Sequence, residues 1–238
     1  MFGGLTQPGS ALVVRKDAVA RLADKSPPPV IFGDRTGVGV SGQMAVWGPE
    51  FLGWNLRWVV GYAGAGGMTL ALMGGEIHAL STGTAQQLKP LLDSGDFVVP
   101  SQTGVFKGGK FIPHPAMPPA PVLSDVLKPR LTGIALEAYE DWEALVQIGK
   151  WYALPEGTPS PIVNAYRAAW DKAIADPAFD AAVKLKFSEH YTTVNGDEMA
   201  KTIARVAATT DESLEYTNQL RIKVGVPLAT AKPASAER

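Results

Sequence analysis

Up to about residue 100 the chain alternates short apolar runs with stretches of helical periodicity, and glycine-rich loops join one to the next. That alternation restricts the fold more than any other feature, because it is the pattern of βαβ units on a largely parallel sheet. Residues 11–14, 29–32, 56–60, 77–80 and 97–99 read as strands, the second ended by Gly33. Residues 17–24, 41–52, 67–73 and 84–92 read as helices, with a break or kink at Gly48-Pro49 and Thr84 as a cap.

The pattern then changes. Residues 105–112 read as a hairpin turning on Gly108-Gly109, and 113–121, with five prolines, as an extended surface crossing. Residues 137–148 read as a helix and 150–154 as a strand returning to the sheet. The last third is helical: Thr158-Pro159 has the form of a helix start, with Ile162, Tyr166, Ala169 and Ala173 on one face. Asp176-Pro177 opens a second helix carrying Phe179 and Val183, and Asn195-Gly196 a third with Met199, Ile203 and Val206 inward.

Composition narrows the function classes. The net charge of −1 and the scattered lysines and arginines leave no basic stripe for phosphates, so nucleic acid is not an expected partner. With no cysteine, disulfides, thiolate nucleophiles and cysteine-bound metals are excluded. No apolar run reaches the ~18–20 residues of a membrane span, and the first residues lack the three-part pattern of an export signal. No metal and no cofactor is expected. His78, His114 and His190 stand isolated in unrelated segments and read as structural. The acids around Trp142 (Glu137, Glu140, Asp141, Glu143) read as a solvated helix face, and the six tryptophans as core.

Ligand chemistry points to three junctions where a strand leads into a helix: 33–41, 61–67 and 81–84. Open parallel sheets bind ligands beyond the carboxyl ends of their strands, where unpaired helix-start amides favour a negative guest. Arg35 can add a bidentate contact to a carboxylate, and Tyr62 sits at a strand end beside a glycine loop. The plain alternative is that these glycines make tight turns and these hydroxyls cap helices. Gly37 to Gly42 also matches G-x-G-x-x-G, the mark of a nucleotide-dependent enzyme, but no acid stands about 20 residues on, near Tyr62. A nucleophile elbow fails by one residue, since Gln43 stands where G-x-S-x-G needs glycine.

At these loops the sequence resembles a family. Gly61-Tyr62-Ala63-Gly64, then Leu70 to Ile77 (LALMGGEI), is similar to a segment of the tripartite tricarboxylate transporter receptors, the Bug-type extracytoplasmic solute-binding proteins. Trp151 to Pro159 (WYALPEGTP), Pro161-Ile162-Val163, Ala175-Asp176-Pro177 and the loop after Phe32-Gly33 follow in that family's order. The resemblance implies an α/β, type II periplasmic-binding-protein-like fold of two hinged lobes. It also implies a non-catalytic role: holding a small organic acid between the lobes and delivering it to a membrane permease from the periplasm. Carried onto this chain, the ligand residues are Asp34, Arg35, Thr36, Gly37, Gly39 and Ser41, then Tyr62, Gly64 and Ala65, then Ser81, Thr82 and Thr84.

The expected organisation is a near-complete Rossmann-like lobe over residues 12–100. Residues 101–226 supply a crossing, a returning strand and the C-terminal helices of the other lobe, and 227–238 a loose tail. Family members open with an export signal and most of a first lobe, neither of which stands in this sequence. A second outcome is therefore an interaction module without a small ligand. The 103–121 insert, longer and richer in proline than the family's usual link, is expected to mark a subgroup.

Overall fold

The computed structural model describes residues 1–6, 9–107, 110–187 and 190–226. Its main sheet has five strands: β2 (Ala11–Arg15), β3 (Val30–Asp34), β4 (Leu56–Val60), β5 (Ala79–Thr82) and β6 (Phe97–Gln102), in the order β4-β3-β5-β2-β6. The fold class is α/β, as the alternation requires, but the sheet is mixed. β3 runs parallel to β4 and β5, whereas β2 runs antiparallel to both β5 and β6. The reading as largely parallel fails at β2 because a buried strand is apolar in either direction, so its sequence carries no mark of polarity.

Alternate residues of β2 serve opposite cores. Leu12 and Val14 join Phe32, Trp58 and Ala79 on one face, covered by α1 (Met44–Phe51), α4 (Leu123–Leu127), α5 (Gly133–Val146) and α9 (Asp211–Lys223). Ala11 and Val13 join Leu80, Phe97 and Val99 on the other, under α2 (Ala65–Met73) and α3 (Ala85–Asp93).

A second, three-stranded sheet is built from β1 (Gly3–Thr6), β9 (Lys150–Tyr152) and β10 (Thr192–Asn195), in the order β10-β1-β9 and antiparallel throughout. The strand at 150 was read as rejoining the main sheet; it pairs instead with β1, a partner too short and glycine-rich to stand out in sequence. Helices α6 (Ser160–Ile174), α7 (Pro177–Lys186) and α8 (Gly196–Ala207) accompany this sheet, and Leu5, Trp170 and Val183 form its core.

Several local readings are corrected. Gly33 lies inside β3, where a Cβ would meet Ile77 Cδ1 at 2.4 Å, so glycine there serves close packing rather than a turn. The helix expected at 17–24 is a 3-10 turn, Val19–Leu22, and that at 41–52 begins with another, Val40–Gln43. Neither Thr84 nor Thr158 caps a helix with its side chain: Thr84 Oγ1 meets Thr82 Oγ1 at 3.1 Å, and Thr158 Oγ1 donates to the Pro155 carbonyl at 2.7 Å. On α6 the inward residue is Trp170, while Ile162 and Tyr166 are about half exposed.

The pair β7 (Val105–Lys107) and β8 (Lys110–Ile112) forms the expected hairpin; its turn at Gly108-Gly109, like the tail 227–238, lies outside the described residues. The proline crossing is not wholly at the surface, since His114 and Met117 are buried. His114 and His190 are not isolated either, their rings meeting edge-on with centroids 5.2 Å apart. Of the acids near Trp142, Glu143 is buried with Lys128 Nζ at 2.7 Å, and Asp141 accepts from Ser213 Oγ at 2.7 Å. Among the tryptophans, Trp151 is half exposed and Trp54 only partly buried.

Candidate functional site

The parallel strands β3, β4 and β5 end together at Asp34, Val60 and Thr82, so the three loops singled out in the sequence share one edge of the sheet. Because β2 is antiparallel, its start lies on the same edge: Ala11 pairs with Thr82 on one side and Gln102 on the other. Two further segments, Gly9-Ser10 and Thr103-Gly104, therefore join the edge.

A cleft of about 290 Å3 opens there. One wall is Ser10, Val40, Ser41, Gly83, Thr84 and Thr103; the other is Val146 at the end of α5, then Ile148, Gly149 and Lys150 leading into β9, with Phe187. Lys150, exposed in β9, is the one charged residue among the described residues lining it, and it enters no ion pair within 4.0 Å with another described residue. The Ser41 hydroxyl makes no hydrogen bond to a described residue, whereas Thr103 Oγ1 is engaged by the Ser10 amide at 2.7 Å. The cleft thus offers one ammonium, hydroxyls and apolar contact. That chemistry suits a small anion with a short carbon body.

Of the twelve residues carried from the resemblance, the structure brings Ser41 and Thr84 to the cleft wall. Thr82 stands behind them, buried, its Oγ1 accepting from the Thr84 amide at 3.2 Å. Ser81 neighbours them in β5 with its hydroxyl buried and without a hydrogen bond among the described residues. Asp34, Thr36, Gly37 and Gly39 form the loop that delivers Ser41. Asp34 Oδ2 accepts from the Gly37 amide at 2.8 Å, and Thr36 Oγ1 from the Val38 amide at 3.4 Å. Gly37, at φ +77°, packs against Val226. Arg35 is exposed on this loop.

Tyr62, Gly64 and Ala65 do not reach the cleft, since β4 is an edge strand and its loop lies beyond β3. The Tyr62 hydroxyl donates to Glu76 Oε1 at 2.6 Å, and burial followed by that acceptor pushes its pKa up to about 12. The carboxylate of Asp34 also bears on the nucleotide motif. It sits within the Gly37–Gly42 turn, about 3.5 Å from where a Cβ on Gly42 would stand, and a phosphate there would meet a negative charge.

Eight residues of the cleft lie outside the junctions expected from sequence: Gly9, Ser10 and Thr103 on one side, and Val146, Ile148, Gly149, Lys150 and Phe187 on the other. Extending the strand at 97 to its real end at Gln102 would have exposed Thr103-Gly104 as a fourth junction, because β6 runs in the same direction as β5. Lys150 had no such signal.

With sheet order, core and cleft in place, the chain's α/β fold is similar to that of three solved proteins. A TctC solute-binding protein from Polaromonas matches 93% of this chain and 68% of its own, at 22% identity and a TM-score of 0.56. A protein of R. palustris solved with adipate matches 92% and 67%, at 15% identity and a TM-score of 0.55. A periplasmic transporter structure matches 96% and 68%, at 18% identity and a TM-score of 0.51. No protein-family model and no curated protein matches the chain. No helix among the described residues is long and apolar enough to cross a membrane.

Proposed function

We propose that the chain is a non-catalytic receptor that binds a small organic acid in the cleft between Ser41 and Lys150 and presents it to a membrane permease of the tripartite tricarboxylate type, from the periplasm. The observation that carries this reading is that one cationic residue, Lys150, exposed and without an ion pair among the described residues, lines the cleft together with Ser41 and Thr84 at the carboxyl edge of the sheet. A carboxylate seated there replaces water around the lysine and accepts from hydroxyl donors, with Val146, Ile148 and Phe187 covering its carbon body.

On this reading the loops around Ser41 and Thr84, joined by Ser10 and Thr103, form one side of the site, and residues 146–150 the other. That a neighbour in fold is solved with adipate makes linear dicarboxylates the first class to try.

The test is a thermal-shift scan with adipate, succinate, citrate and benzoate on the intact chain, repeated on Lys150→Met and Ser41→Ala. An acid at ~100 times its Kd adds roughly 2.7 kcal/mol, or several degrees at this size. Loss of the ammonium should weaken binding by at least about tenfold, as for a charge-assisted hydrogen bond. A panel in which no acid moves the melt, or a shift indifferent to both substitutions, would overturn the assignment.

A further inference from the structure

A second cavity, of about 250 Å3, shares no lining residue with the cleft. It lies between α5, α8 and α9, behind the 3-10 turn that presents Ser41. Its cation is Arg221. Among the described residues the guanidinium has neutral amide partners: Nε donates to Gln43 Oε1 at 3.4 Å and Nη1 to Asn218 Oδ1 at 2.9 Å. No carboxylate among the described residues lies within 4.0 Å of it. Asp141 lines the same cavity, but it is committed to Ser213 Oγ at 2.7 Å and to Arg205 Nη2 at 3.8 Å. Burial disfavours the charged form of Arg221, a cost that an anion would relieve. The remaining walls include Leu145, Val206 and Leu214. The volume falls just below the ~300–1,000 Å3 of ordinary ligand pockets, which restricts the guest to a short chain.

The cavity is also tied to the cleft. Gln43, only 2% exposed, takes Arg221 on its oxygen and donates from Nε2 to the Gly39 carbonyl at 3.5 Å. Trp142 donates from Nε1 to the Val40 carbonyl at 3.1 Å. Two residues lining the cavity therefore hold successive carbonyls of the turn that carries Ser41.

We propose that this cavity is a second anion site, taking a short aliphatic carboxylate on Arg221, and that its filling is coupled to the cleft through Gln43 and Trp142. A guest drawing Arg221 away from Gln43 frees the glutamine to bind Gly39 more closely, and contact with Trp142 is transmitted to Val40. Occupation then changes how firmly the turn holds Ser41 in place.

The test uses nitrogen-15-labelled protein and the indole N–H resonance of Trp142, assigned with Trp142→Phe and titrated with hexanoate, with hexanol as the uncharged control. The expected result is a saturable shift with hexanoate alone, accompanied by the amides of Gly39 to Ser41. Arg221→Gln should weaken it at least about tenfold, the lower bound for loss of a charge-assisted bond. Leu214→Glu, at a half-exposed position, should do the same through repulsion and guards against a folding defect at Arg221. Lys150→Met, which removes the cation of the cleft, should leave the Trp142 indole shift intact, so failure of the cleft assignment and failure of this one are separate results. No saturable shift well above ~1 mM hexanoate, or one indifferent to Arg221→Gln, would overturn the site. An indole that moves while the 39–41 amides stay still would overturn the coupling.

Discussion

Trp58→Phe should destabilise the main lobe by an amount that depends on Pro49, nine residues earlier in the chain. Pro49 lies inside α1 and has no N–H, so the Ala45 carbonyl four residues earlier has no helical donor. Trp58, from β4, fills that vacancy with Nε1 at 3.0 Å, both residues being buried. Removing the indole leaves a buried carbonyl unsatisfied, at a cost of about 1–3 kcal/mol. The smaller ring also loses contact in a core where Trp58 and Phe32 have centroids 4.6 Å apart, adding about 1 kcal/mol. The total of roughly 2–4 kcal/mol corresponds to a fall in Tm on the order of 5–12 °C for a chain of this size. Pro49→Ala restores the missing amide, so in that background Trp58→Phe should cost only the packing part. Urea unfolding of the four proteins, followed by far-ultraviolet circular dichroism, should give a coupling of about 1–3 kcal/mol, the hydrogen-bond part. Equal costs in both backgrounds, within ~0.5 kcal/mol, would refute the reasoning.

Two further outcomes follow from the same kind of accounting. His78 Nδ1 accepts from the Ile31 amide at 3.0 Å, and burial first, then Arg21, lowers its pKa, while burial also lowers that of His114. The folded state therefore resists protonation where the unfolded chain accepts it, and stability contributed by these rings is complete above the unfolded pKa of ~6.5 and falls as pH drops through it. Melts between about pH 7.5 and 5.5 should show that loss, with a shallower slope in His78→Asn; an unchanged slope would exclude the His78 share. Gly3→Ala should destabilise the small sheet by about 1–3 kcal/mol, because the added Cβ would lie 2.3 Å from the Trp170 indole, and Trp170→Leu should relieve part of that cost in a urea titration.

The parts of the fold that were legible in sequence are those where local signals agree. Leu56–Val60 was placed to the residue, since a β-branched run bounded by Trp54-Asn55 and Gly61 admits little else. Asp176 and Asn195 do cap α7 and α8, accepting from the amides of Ala178 and Glu198. The small sheet was not legible. β1 is four residues with two glycines, and it becomes a strand because Trp170 and Met199 pack flat against those glycines. Nothing within Gly3–Thr6 announces partners so far along the chain.

The site was half legible for the same reason. Glycine and hydroxyl residues at strand ends pick out the edge where the cleft opens, and Ser41 and Thr84 line that cleft. Which of several such loops faces the ligand depends on strand order, and strand order is a property of the whole sheet. With β4 at the edge, its loop is carried away from the cleft and Tyr62 turns to Glu76; with β2 reversed, Ser10 is brought in from a segment that looks like a lead-in. Lys150 is the extreme case. It lines the cleft with Ser41 because β9 pairs with β1 rather than with the main sheet. Specificity in this protein is therefore expected to reside in the facing wall, residues 146–150, more than in the glycine loops that mark the fold.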